Sequence, residues 1–278
     1  MILGLSSPTY SAVEPDTNPL LWLLDRCADY DLQALEASLP LDDNQDVAAV
    51  GRKAADLGIT WVGYWYGDFV TPEGGATGLR HRAEQAFDIA VRGGVSPVVM
   101  FGAGSLHNRF SKNPPLAEQQ QLLVQNLNGV AAAAADRNIQ LGLLPHLDYR
   151  AGELTEVMQQ IDQPALKMAF DTTNPFPVCE EPVDAAQSVL PYAVAVAFKD
   201  VQIYPHRSND VTIWGAPIGQ GSVDFDAIIP LLSEKLPAPD DTTVCIKLRL
   251  PPDNHEHEMW MVQSLDYLKN HPILAEQL

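Results

Sequence analysis

The hexapeptide Leu141-Gly142-Leu143-Leu144-Pro145-His146 is apolar for four residues and then ends in a proline and a histidine. Three further short apolar runs in the second half of the chain also close on a polar side chain: 167–171 on Asp171, 193–199 on Lys199 and 244–249 on Arg249. Runs of this length, spaced by helical patterns, read as buried parallel strands. Working outward, strand and helix patterns alternate eight times. The strand patterns fall at 2–7, 32–39, 59–66, 97–101, 140–146, 166–171, 193–199 and 243–250. The helical ones fall at about 19–30, 44–57, 79–92, 116–137, 151–161, 183–190, 224–232 and 256–268, with Gly58 and the Gly93-Gly94 pair as stops. Eight such units without a long Pro/Gly/Ser linker predict one (β/α)8 TIM barrel spanning residues 1–278, a fold that commonly takes about 250 residues. A doubly wound open sheet would place a glycine-rich phosphate turn after the first strand, and Ser6-Ser7-Pro8-Thr9-Tyr10 is not one.

Side chains alternate along a strand, so parity separates the barrel interior from the helix-facing surface. Val244, Ile246, Leu248 and Leu250 form an outer row, which leaves Thr243, Cys245, Lys247 and Arg249 inside. In the seventh strand Val194, Val196 and Phe198 read as outer, with Ala193, Ala195, Ala197 and Lys199 as inner. In the sixth strand Lys167, Ala169 and Asp171 read as inner, and in the fifth Gln140, Gly142, Leu144 and His146 do. Glu36 falls on the inner row of the second strand with Ala34 and Ser38. Chemistry in such barrels sits where the strands end. The predicted rim is therefore a mixed-charge pocket of Glu36, His146, Asp171, Lys199, Lys247 and Arg249.

Composition limits the partners. The chain has 17 basic and 36 acidic residues, a formal charge of −19, and 46% apolar residues. So acidic a surface repels phosphate backbones, so nucleic acid is not an expected partner. No stretch approaches the roughly 20 apolar residues of a membrane helix. The first ten residues lack a basic flank and an h-region and read as a strand rather than a signal peptide. Cys27, Cys179 and Cys245 are distant and odd in number, which suggests free thiols and a reducing, cytoplasmic setting.

Four pieces in order, Leu141-Gly142-Leu143-Leu144-Pro145-His146, Phe170-Asp171-Thr172-Thr173-Asn174, Phe198-Lys199-Asp200 and Ile218-Gly219-Gln220-Gly221-Ser222-Val223-Asp224, make the chain resemble the sugar phosphate isomerase/epimerase superfamily. These xylose isomerase-like barrels include hydroxypyruvate isomerase, inosose dehydratase and tagatose epimerase. The resemblance implies a divalent metal held by Glu, Asp, His and Glu at the ends of strands five to eight. Position by position, these map to Leu144, Asp171, Ala197 and Lys247, so one ligand of four is present. One carboxylate cannot hold Mg²⁺ or Mn²⁺, and neither a metal nor another cofactor is expected. The Lys247 ammonium is instead expected in the vacated metal volume, paired with Asp171. There it would stabilise an enediolate or carboxylate oxygen, or form a Schiff base with a carbonyl substrate.

The expected activity is metal-independent proton transfer next to the carbonyl of a small sugar, keto-sugar or polyhydroxy acid. Asp171, Lys247, His146 and Glu36 are the catalytic candidates. Lys199, Asp148, Tyr64, Trp214 and Arg249 are the candidates for substrate binding, with Tyr66 beside Tyr64 available to stack on a sugar-like ring. The competing reading is a catalytically silent barrel that binds a ligand or serves as a partner subunit, with homo-oligomers left open. Each candidate also has a structural role open to it, as a helix cap, a loop anchor or an ion-pair partner. His206, Arg207 and Trp214, after the seventh strand, read as a lid or a surface loop. His255-Glu256-His257-Glu258 reads as a solvated helix N-terminus rather than a metal site. A DNA-repair barrel of the endonuclease IV type would need a dense His/Glu ligand set and a basic face, and the chain has neither.

Overall fold

The computed structural model describes residues 1–41, 46–102, 107–205, 211–250 and 256–275. Eight parallel strands close into a barrel: β1 (Ile2–Ser6), β2 (Ala34–Ser38), β3 (Thr60–Tyr66), β4 (Val98–Phe101), β5 (Leu141–Leu143), β6 (Leu166–Asp171), β7 (Ala193–Phe198) and β10 (Thr243–Ile246), with β10 pairing β1. Helices α1 (Pro19–Asp29), α2 (Val47–Asp56), α3 (Gly75–Gly93), α4 (Leu116–Ala135), α5 (Ala151–Ile161), α6 (Pro182–Val189), α7 (Phe225–Lys235) and α8 (His257–Asn270) alternate with them. The (β/α)8 barrel expected from the strand and helix periodicity is the observed fold.

Local chemistry starts and stops these elements. Asn18 Oδ1 accepts from the Leu20 and Leu21 amides at the head of α1, Asp46 Oδ1 from Ala49 at α2, and Asp224 Oδ1 from Ala227 at α7. Gly94, at φ 66°, ends α3 in the left-handed conformation glycine adopts without strain. The outer strand rows, including Leu141, Leu143, Met168, Phe170, Val196, Phe198, Val244 and Ile246, pack with the helices in one large core. Fully burying one such side chain contributes about 2 kcal/mol. A second, smaller cluster of Val62, Tyr64, Val99, Leu144, Ala169 and Ala195 fills the barrel itself. Below it a Cβ on Gly4 would lie 2.6 Å from Ala34 Cβ and 2.7 Å from Cys245 Sγ, so the barrel floor is closed.

Two expectations need correction. Between Met168 and Ala169 the β6–β7 register shifts by one residue. This bulge turns Ala193 into the helix-side core, while Val194 Cγ2 would lie 3.3 Å from a Cβ on inward-facing Gly142. The simple alternation holds again from Ala195 onward. The segment after the seventh barrel strand, read as a loop, contains an antiparallel hairpin of β8 (Asp200–Pro205) and β9 (Val211–Ala216), in which Gln202 opposes Trp214. His206 and Arg207 lie outside the described residues, as do 44 and 45 of the expected second helix.

The hairpin is fastened at its base. Asp200 Oδ1 accepts from the Val201 and Val223 amides and Oδ2 from those of Gly219 and Gly221, at 2.8–3.1 Å. Gly215 sits so close to the backbone after β10 that a Cβ there would come within 1.7 Å of the Arg249 carbonyl oxygen. The hairpin thereby leans over the mouth of the barrel.

Candidate active site

Asp171 ends β6, and its side chain is wholly buried. Its Oδ1 accepts from the Thr173 amide and hydroxyl at 3.1 and 3.2 Å. Its Oδ2 lies 2.9 Å from Lys199 Nζ and 3.8 Å from Lys247 Nζ. Burial alone would raise this carboxyl's pKa, but the two ammonium groups outweigh it and hold the pKa below its ordinary value. The shorter pair is thus with Lys199, not with Lys247 as the sequence suggested. Lys199 leaves β7 where Thr172 clasps its backbone: the Thr172 hydroxyl donates to the Lys199 carbonyl at 2.6 Å and accepts from its amide at 2.8 Å. Lys199 Nζ also donates to Asn174 Oδ1 at 3.1 Å, and Asn174 Nδ2 donates to the Pro145 carbonyl at 3.0 Å. Burial depresses the Lys199 pKa, with Asp171 opposing and Lys247 adding to the effect.

Lys247, just past β10, lies with Nζ 4.6 Å above the Tyr64 ring. Tyr64 Oη is 2.8 Å from Ser6 Oγ, and Glu36, buried on β2, reaches the same phenol. Burial, then the charge of Glu36 and its hydrogen bond, push the Tyr64 pKa well up. Glu36 Oε2 finds no hydrogen-bond partner among the described residues. The interior of the mouth therefore holds two carboxylates and two ammonium groups: Asp171 meets both lysines, and Tyr64 lies between Lys247 and Glu36.

Above this layer opens a cavity of about 390 Å³, whose lining includes His146, Asn174, Lys199, Trp214 and Arg249. Its charged lining residues, Lys199 and Arg249, are both cations. His146, half-buried, is lowered to a pKa of about 4, by burial first and by the Lys199 charge second, so its imidazole is neutral at pH 7. Its Nδ1 has no hydrogen-bond partner among the described residues. Phe101, at the end of β4, packs 4.5 Å from the His146 ring and stacks on the exposed Tyr66 at 5.9 Å. Phe101 and Tyr66 thus back the His146 ring that lines the cavity, and Trp214 of β9 stands in the lining contributed by the hairpin.

The structure brings His146, Lys199, Trp214 and Arg249 to the cavity and sets Asp171, Lys247, Glu36 and Tyr64 beneath it. Asp148 lies elsewhere. Its Oδ1 accepts from the His146 and Tyr149 amides at 2.8 and 2.9 Å, and the residue lines a separate cavity of about 50 Å³ with Asp68, His107 and Leu144. Burial pushes its carboxyl up to about 7. Sequence reasoning missed Asn174 and Phe101; both stand just past or at a strand end, which is the signal that marked the others. His257 is not solvated, as its helix-start position suggested: it is buried, with Nδ1 2.8 Å from the Thr9 carbonyl and its ring stacked on Tyr10. Glu258 meets the Tyr30 hydroxyl, and His255 lies outside the described residues.

At the four metal-ligand positions the resemblance implied stand a buried leucine, a carboxylate, an alanine and an ammonium. Leu144 is packed into the barrel-filling cluster, and two lysines already engage Asp171. This donor set does not fit a divalent cation, which needs several oxygen or imidazole ligands. Among the described residues no group of three or more His, Cys, Asp or Glu side chains is placed to hold a metal.

A closed parallel barrel with polar side chains gathered at the carboxyl ends of its strands is a (β/α)8 TIM barrel with its polar face at those ends. Residues 24–271 match the family model described as xylose isomerase-like TIM barrel, and the chain belongs to that family. A search of curated protein sequences finds no match. Among solved structures, L-ribulose 3-epimerase superposes with a TM-score of 0.78 at 15% identity, over 99% of this chain and 95% of that one. The 3-keto-D-glucoside 4-epimerase YcjR from E. coli gives 0.74 at 15%, over 98% and 100%. The IolI protein with a bound zinc atom gives 0.74 at 14%, over 100% and 99%. At such identities the likeness is one of fold.

Proposed function

We propose that this barrel binds a small keto-sugar or polyhydroxy acid and moves a proton on the carbon beside its carbonyl, as an isomerase, epimerase or lyase of the sugar isomerase type. The observation that carries this reading is the lining of the mouth cavity. In a chain of net charge −19, the charged groups facing it are Lys199 and Arg249, set beside a neutral imidazole and an indole. Its volume suits a ligand of sugar size. Aromatic faces receive the C–H side of a sugar ring, and the two cations receive carboxylate, phosphate or enediolate oxygen. The solved relatives named as epimerases of L-ribulose and of 3-keto-D-glucoside support the substrate class.

Among the candidate bases, His146 is the one that reaches the ligand. Asp171 is enclosed and ion-paired, so its part is to position Lys199. Lys199, with Lys247 behind it, presents positive charge to the carbonyl end of the ligand, where electrons gather as the proton leaves. The test is a thermal-shift screen of keto-sugars, aldonates and sugar phosphates, followed by NMR in D2O on each ligand that binds. Deuterium is expected at the carbon beside the carbonyl. Binding without any exchange would make the protein a ligand-binding barrel and overturn the enzymatic reading.

A further inference from the structure

Lys199 and Lys247 share one buried carboxylate, yet they face different surroundings. Lys247 Nζ is enclosed between Asp171 and the face of Tyr64. Lys199 belongs to the lining of the mouth cavity, and its side chain is 12% exposed. Its Nζ is aimed by Asp171 on one side and by Asn174 Oδ1 on the other. Lys247 at the same carboxylate opposes the positive charge on Lys199, so this resting ammonium yields its proton more readily than a solvent-exposed lysine does. An amine held by burial and a cationic neighbour at the edge of a ligand cavity is the arrangement that makes lysine a nucleophile. The family's metal would withdraw electrons from a carbonyl, and the donor set here does not fit one.

We infer that Lys199 forms a Schiff base with the ketone of the substrate, and that this iminium is the electron acceptor at the mouth of the barrel. The inference rests on the proposed proton-transfer reading and specifies how the carbonyl is activated. The Lys199 nitrogen bonds to the carbonyl carbon, giving a carbinolamine, and the former carbonyl oxygen leaves as water. In the resulting C=N⁺ group the nitrogen receives the electron pair when the adjacent C–H proton passes to His146, forming an enamine. Return of a proton to carbon and addition of water restore ketone and amine, with no net oxidation. Asp171 remains the positioning residue, and the Lys247 side chain stays packed between Asp171 and the Tyr64 ring.

The experiment incubates the intact protein with dihydroxyacetone as probe and cyanoborohydride, which supplies a hydride to reduce C=N⁺ to a stable secondary amine. Peptide mapping then locates the adduct. Accessibility alone would favour the exposed Lys112 and Lys269. Activation instead places the label on Lys199, at about ten-fold higher occupancy than on either of them. Lys199→Arg keeps a cation beside Asp171 but forms no trapped adduct, so the label at that site is expected to vanish while the protein stays folded. A label spread over exposed lysines, or one that survives in K199R, overturns the inference. Deuterium exchange in NMR without trapping at Lys199 would overturn the Schiff base and leave the proton-transfer reading standing. Absence of both would remove the two together.

Discussion

His146 and Asp148 are two residues apart, and burial moves their protons in opposite senses. The imidazole is held neutral down to about pH 4, whereas the unfolded side chain takes up a proton near pH 6.5. Between these values the unfolded chain binds the extra proton, so this group adds stability as pH rises. The Asp148 carboxyl keeps its proton up to about pH 7, whereas the unfolded one loses it near pH 4. Its contribution is full below pH 4 and fades as pH rises through 7, by about 4 kcal/mol. Across most of the interval the two slopes oppose one another. Asp148→Asn retains an oxygen to accept from the His146 and Tyr149 amides but cannot ionise. Urea unfolding at pH 4, 5, 6 and 7 is expected to show the stability of D148N gaining on that of the parent by about 4 kcal/mol over the range. A constant difference would contradict the assignment. Residue type and strand parity exposed Asp171, Lys199, Lys247 and Glu36 to a reader of the sequence, because each is a charged side chain on an inner row. Which lysine approaches Asp171 more closely was not legible. It depends on Thr172 and Asn174 steering Lys199, a contact across 25 to 27 residues.

At the scale of elements, the hairpin of β8 and β9 decides whether the cavity has a roof. Trp214, Gly215 and Ile213 line the opening from β9, while Gly215 packs on the Arg249 backbone. Gly215→Val puts a branched side chain where even a Cβ meets that carbonyl oxygen, so the hairpin has to move away. The variant is expected to lose most ligand-induced thermal stabilisation while losing only about 1–3 kcal/mol of its own stability, because the barrel core is untouched. A thermal-shift titration reads both. An unaltered ligand response would show that the hairpin takes no part in binding. The hairpin escaped the sequence reading because Val211-Thr212-Ile213-Trp214 is short and follows a strand already assigned to the barrel. The β6–β7 bulge escaped it for a different reason. Alternation predicts faces only while the register is continuous, and the strict Ala/Val alternation of 193–197 gave no sign of the break. The barrel order itself was legible, since bulky apolar residues on one parity and small ones on the other recur strand after strand.

Across the whole molecule, an excess of 19 negative charges surrounds a mouth whose lining charges are positive. Self-repulsion of so acidic a surface opposes the compact state, and salt screens it over a distance of about 10 Å at 0.1 M. The melting temperature is therefore expected to rise between 10 and 300 mM NaCl by about 2 °C, the equivalent of about 1 kcal/mol. A melting temperature that falls with salt would show that the ion pairs outweigh the repulsion. The buried quartet of Glu36, Asp171, Lys199 and Lys247 is shielded from solvent and should respond little to salt.

That quartet has one more consequence. The positive charge at this opening is spun into the polypeptide itself, so it is in place once the chain has folded. With Asp171 engaged by two lysines, a chelator is expected to leave that charge untouched.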